Sequence, residues 1–105
     1  MSAIEVEAGK AKRGDGYAEF LRVATLSVGV YVLPAGGVDR QSPHTEDEIY
    51  YVVRGHGTLR HGNEESPANP GDVLFVPARE AHRFHSITEE LVLLVVFAPP
   101  EGSAA

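Results

Sequence analysis

The sequence predicts one small all-β domain, a barrel or sandwich of short strands. Three observations predict it. Short runs rich in Val, Ile, Leu, Tyr and Phe recur along the chain, several with two-residue alternation. Clusters of Gly, Pro and Asn separate those runs at fairly regular spacing. No stretch carries a convincing helical period, an internal repeat or a low-complexity bias. A length of 105 residues suits one domain with one modest core.

Residues 1–16 are polar and mixed, closing on Gly14-Asp15-Gly16, and read as a loose arm or an edge strand. Tyr17–Ala24 reads equally as a strand or a helical turn. Leu26–Leu33 alternates clearly and ends at Pro34-Ala35-Gly36-Gly37. A polar loop, Val38–Pro43, leads to His44. Glu48–Arg54 is a strand, because Ile, Tyr, Tyr, Val and Val favour one. Gly55-His56-Gly57 marks a bend or bulge, followed by a short strand over Thr58–His61 and a tight turn at Gly62-Asn63. Glu64–Ala68 is a weak strand, Asn69–Asp72 a turn, and Val73–Val76 a short strand stopped by Pro77. Ala78–Ala81 is a turn and His82–Ile87 a strand. Thr88-Glu89-Glu90 is read as another turn before Leu91–Ala98, the most apolar strand, which should be covered on both faces. The expected organisation is an arm and edge strand over 1–25, a barrel over 26–100 and a flexible tail over 101–105.

Composition narrows the function. The formal net charge of -6 argues against a nucleic-acid or anionic-membrane partner. The absence of cysteine excludes disulfides, thiolate metal sites and a Cys nucleophile. Leu91–Ala98 is too short to span a bilayer, and the N-terminus lacks the pattern of a signal peptide, so a cytoplasmic location is expected. Both lysines, Lys10 and Lys12, fall in the N-terminal segment, away from the expected barrel. A small domain with an apolar strand and a dangling arm has surface to hide, so a homodimer is expected.

Alternation assigns faces. In a strand, Glu48, Tyr50 and Val52 share one face, and His82 shares another with Phe84. A glutamate among apolar neighbours needs a cation or hydrogen bonds if it is buried. His44, Glu48 and His82 could all face the barrel interior. Two imidazoles and one carboxylate form the ligand set of a facial metal centre with open positions. The plain alternative is an ordinary hydrogen-bonded polar patch. Tyr50 and Phe84 could line the same pocket, and Tyr31 could reach it. His56 and His61 read as exposed turn residues, and His85 should face away from His82. Glu46-Asp47 reads as a solvated acidic patch, and Arg54 and Arg60 as snorkelling surface residues.

The chain resembles a small single-domain cupin. In that family a first motif runs Gly, His-x-His, three or four residues, Glu, six residues, Gly. Here His44, Glu48 and Gly55 keep that spacing, with Gly36-Gly37 close to the first glycine. In the second motif Gly71, Pro77 and His82 are in register, while Arg79 replaces a glycine and Ser86 an asparagine. The resemblance covers roughly Leu26–Pro100. It implies a double-stranded β-helix (jelly-roll) barrel whose interior holds a divalent metal, Fe, Mn, Zn or Ni, on His44, Glu48 and His82. It also implies a small-molecule ligand or substrate, with dioxygenase or isomerase chemistry the commonest activity; no catalytic residue is named. Ser42 stands where the first histidine of His-x-His usually stands. Three outcomes stay open: a three-residue site, a weak contribution from Gln41 or Ser42, or a metal-free pocket that binds or senses a ligand without turnover. A further alternative is a metal-free isomerase with His82 as base, which would want a carboxylate behind that histidine.

Overall fold

The computed structural model describes residues 2–39 and 43–103. The elements run α1 (Ala3–Arg13), β1 (Tyr17–Arg22), β2 (Ser27–Leu33), β3 (Asp47–His61), β4 (Glu64–Ala68), β5 (Val73–Val76) and β6 (His82–Ala98). The strands pair antiparallel in the order β1-β2-β6-β3-β4, with β5 also on β3. The architecture is an all-β jelly roll with one added helix. No helix among the described residues is long and apolar enough to cross a membrane.

Alternation places the interior. Glu48, Tyr50 and Val52 are buried while Ile49 and Tyr51 are exposed. On β6, Leu91, Leu93, Val95 and Phe97 join Tyr50, Val52, Leu59 and Phe84 in the main core. The opposite face of the same strand is also covered, as its composition requires. Val92 packs with Val30 and Val32 against Ala8 and Ala11 of α1.

The helix corrects the expectation of a loose arm or edge strand. The Ser2 hydroxyl accepts a hydrogen bond from the Glu5 amide at 3.2 Å, capping the first turn. Glu5 stands in the acidic first turn and Lys10, Lys12 and Arg13 in the basic last turn, each favourable to the helix dipole. The buried side chains are alanines, too small to give a conspicuous apolar period, yet their size lets α1 lie close on the sheet. Arg54 fastens it, 3.0 Å from both Glu5 and Glu90, and Lys12 reaches Glu90 at 3.0 Å. Arg54 is therefore an inter-element anchor rather than a snorkelling residue, and neither Lys12 nor α1 dangles.

Two expected breaks are continuous strand. The Gly55-His56-Gly57 bend lies inside β3, where the pairing with β6 shifts register. Gly55 has φ of 95°, and a Cβ there would lie 2.0 Å from the Glu90 carbonyl oxygen, so only glycine fits. The expected turn at Thr88-Glu89-Glu90 is strand as well. Thr58 pairs with His85 and His56 with Glu89, so β6 carries the extra residues as a bulge and then runs on. The carboxylate of Glu90 is held by Arg54 and Lys12, which offsets the poor strand preference of glutamate.

Candidate metal centre

Glu48 enters β3 on its inward face and is 1% exposed. His82 opens β6, also inward. His44 precedes β3, and its carbonyl oxygen accepts from the Arg79 amide at 2.6 Å, tying that loop to the turn before His82. Arg79 takes φ of 67° there, and Ser86 takes φ of 52° in the β6 bulge. These are the two positions where the family motif has glycine and asparagine, the residues that adopt left-handed backbone most readily.

The three side chains converge. The His82 Nε2 lies 3.2 Å and the His44 Nδ1 3.4 Å from the Glu48 Oε1. One donor atom from each residue falls within 4.8 Å of the others. His82 Nδ1–H donates to the Glu80 backbone carbonyl at 2.9 Å, which leaves the Nε2 lone pair facing inward, 3.2 Å from the Tyr50 hydroxyl. The His44 Nε2 lies 3.3 Å from Glu101 Oε2, so a proton held there leaves the Nδ1 lone pair facing Glu48. Metal-binding imidazoles are oriented in this way by carbonyl or carboxylate partners.

A test of fit comes from unsatisfied atoms. Glu48 Oε1 and Oε2 and His44 Nδ1 are buried without a hydrogen bond of good geometry. Such atoms are rare, because a buried polar group with no partner is costly. A divalent cation would satisfy all of them at once, so the residues present fit one. Without a metal, protons take up the same charge. Glu101, and then Glu48, hold the His44 pKa up to about 10 against the cost of burial. Burial pushes His82 down, but Glu48 and the Glu80 carbonyl outweigh it and the net shift is upward. Burial likewise pushes Glu48 up, and His44, His82 and Tyr50 outweigh it, so its carboxyl sits below the ordinary value. Without a metal, the cluster holds its charge balance with protons.

Beside the triad lies a cavity of about 230 Å³ lined by Tyr17, Tyr31, Tyr50, Val95 and Phe97 among others. Tyr50 is among the residues that line it. Phe84 instead lies behind, packed edge-on against Tyr50 with centroids 4.9 Å apart. Gln41 and Ser42 lie outside the described residues. His56, His61 and His85 stay away from the site, bonding Asn69, Ser66 and Glu65. His61 is largely covered rather than an exposed turn residue, because it lies within β3. Glu46 is not solvated: it is buried and accepts from the Thr45 hydroxyl and the Gly102 amide. The carboxylate wanted behind His82 is absent among the described residues, its place taken by the Glu80 carbonyl.

Sequence reasoning missed Glu101, assigned to a flexible tail. Its amide donates to Ser27 Oγ at 3.0 Å and its carbonyl accepts from Arg22 at 3.1 Å, which holds its carboxylate on His44. It also missed Asp39, buried between the Tyr31 hydroxyl at 2.9 Å and the Phe84 amide at 2.8 Å. A polar residue on a tail or loop carries no local signal of burial.

Comparison with known proteins identifies the family and the fold. The family model described as a cupin domain matches residues 29–97. An uncharacterized protein of Streptomyces coelicolor is 47% identical over 98 residues, covering 93% of each chain. An acireductone dioxygenase of Exiguobacterium sibiricum is 30% identical over 69 residues, 60% of this chain but only 38% of that protein's length. Among solved structures, a Thermus thermophilus protein superposes with a TM-score of 0.69 at 27% identity, covering 82% of this chain and 86% of its own.

Proposed function

The chain belongs to the cupin family, and from that premise we propose that it holds a divalent metal on His44, Glu48 and His82 and acts on a small oxygenated molecule in the adjoining cavity. The carrying observation is the set of buried donor atoms on His44 and Glu48 that lack a hydrogen bond of good geometry and converge with His82 Nε2. Two imidazoles and a carboxylate suit Fe, Mn, Zn or Ni. A bound cation would supply Lewis acidity toward a ligand oxygen or dioxygen. The chain's own part is to hold two imidazole lone pairs and one carboxylate inward, through Glu101 and the Glu80 carbonyl. The wall of Tyr17, Val95 and Phe97 restricts water and limits ligand size. Dioxygenase or isomerase turnover of such a ligand is the proposed activity, supported by the partial likeness to an acireductone dioxygenase.

The test is metal content by mass spectrometry after reconstitution with each of the four metals, beside His82→Ala and Glu48→Ala. Near one metal per chain, lost in both variants, is the expected result, with oxygen consumption then screened. No uptake of any of the four by the wild type overturns the proposal.

We also propose a homodimer, now on different grounds. The helix covers one face of β6, but Ile49, Tyr51, Val73 and Phe75 form an exposed apolar patch of cross-strand neighbours. Sedimentation at micromolar concentration should give a dimer for wild type and a monomer for Phe75→Glu. A monomeric wild type removes this proposal.

A further inference from the structure

Three tyrosine hydroxyls border the cavity beside the metal centre, and they differ in what they have left to give. The Tyr31 hydroxyl donates to Asp39 at 2.9 Å. The Tyr50 hydroxyl lies 3.2 Å from His82 Nε2 and also acts on the Glu48 carboxylate, so it is engaged with the ligand set itself. The Tyr17 hydroxyl is buried with no hydrogen-bond partner. A buried hydroxyl left unpaired is costly, and its position on a cavity wall points to a partner that comes from outside the chain.

The fold goes out of its way to put this hydroxyl there. The end of the Tyr17 ring lies across Gly29 of the neighbouring strand, where a Cβ would come within 2.3 Å of both Cζ and the phenolic oxygen. Tyr31 and Phe97 brace the ring edge-on, with centroids 6.4 and 6.2 Å away. The cavity wall carries Asp15, Glu48 and Glu101, and no lysine or arginine among the described residues. Such a wall repels a polyanion, while a cation balanced by Glu48 attracts neutral or weakly acidic oxygen donors. Burial, aided by Glu101, Glu19 and Glu48, drives the Tyr17 phenol far above its ordinary pKa, so it keeps its proton and has a hydrogen bond to donate.

We propose that Tyr17 is the ligand-positioning donor of this site, and that its ligand is a small neutral or weakly acidic molecule presenting an acceptor oxygen to that hydroxyl, not a phosphorylated or polyanionic one. With a metal held on His44, Glu48 and His82, an oxygen of the ligand would accept from the Tyr17 hydroxyl. At about 230 Å³ the cavity is smaller than a drug-sized site, which fits a compact ligand. This inference rests on the metal reading above and names the ligand class for the same site.

The test uses nickel-loaded protein and two probes followed by calorimetry. Maltol offers adjacent keto and hydroxyl oxygens and is neutral before it chelates; phosphonoacetate is a polyanion. Maltol should bind the wild type about tenfold more tightly than phosphonoacetate does, and Tyr17→Phe should weaken maltol about tenfold, the typical size of one hydrogen bond to a charged or polarised oxygen. Nickel content should not change in that variant, and its melting temperature without maltol should not fall. Gly29→Ala, which drives the ring aside, should weaken maltol similarly. Unchanged maltol affinity in Tyr17→Phe, equal affinity for phosphonoacetate, or no maltol binding by loaded wild type overturns the inference while leaving the metal reading intact. No nickel uptake by wild type overturns both.

Discussion

Replacing Glu101 tests whether the metal centre depends on a residue outside the ligand set. Its carboxylate lies 3.3 Å from His44 Nε2 and is the leading cause of the high His44 pKa. By holding a proton on Nε2 it frees Nδ1, the atom that faces Glu48. Glu101→Gln keeps the side-chain length, keeps an acceptor oxygen and keeps the backbone bonds to Ser27 and Arg22. It removes the charge. Partners behind a ligating histidine are worth roughly 10- to 100-fold in metal affinity. The Glu101 side chain is 35% exposed, so solvent screens part of its field and the low end applies. About tenfold weaker binding is therefore expected for Glu101→Gln, equivalent to ~1.4 kcal/mol. Glu101→Ala also removes the acceptor and should approach a loss of about a hundredfold. The assay is competition against a chromophoric chelator at neutral pH and moderate salt. Glu89→Gln, whose carboxylate lies 3.9 Å from His56 and away from the site, serves as the control. Metal-free, both Glu101 variants should unfold at lower urea than wild type, because they remove the leading support of the charged His44. If both Glu101 variants bind metal like Glu89→Gln, Glu101 does not orient His44 and the reasoning fails.

Two further predictions concern protons and backbone. With no metal, His44 has a folded pKa of about 10 against an ordinary 6.5, so its contribution to stability is full below 6.5 and is lost as pH rises toward 10. Metal affinity should move the opposite way over that window, because the ligand must be neutral to bind. Melting curves of metal-free protein and metal titrations at several pH values check this, and a melting temperature that changes equally in His44→Gln would refute it. Ser86→Gly should stabilise the fold: left-handed backbone costs a non-glycine residue about 1–2 kcal/mol, and glycine's extra unfolded entropy returns about 0.5–1 of that. The urea midpoint should rise by an amount equivalent to about 0.5–1 kcal/mol, and a fall would show that the bulge does not strain Ser86.

Sequence by itself determined which way the strand residues face. The alternation of Glu48, Tyr50 and Val52 against Ile49 and Tyr51 requires one inward face, and His82 with Phe84 follows the same rule. Two of the triad thus came from period-two patterning, and His44 from motif spacing. Leu91–Ala98 announced that both its faces needed cover, although not what would cover them. The docked helix, the buried Glu46 and Asp39, the unbroken run of β6 and the hold of Glu101 on His44 were decided only by the tertiary structure. The physical reason is common to them all. Alanines give a weak helical period, and Glu, Asp and bulge residues prefer solvent or turns when judged by their neighbours in sequence. Each is kept in place by a partner remote in the chain: Val30 and Val92 for the alanines, Gly102 for Glu46, Tyr31 and Phe84 for Asp39, Arg54 and Lys12 for Glu90, Ser27 and Arg22 for the Glu101 backbone. Local sequence fixes the face a side chain presents; only strand register and helix docking fix what it meets there.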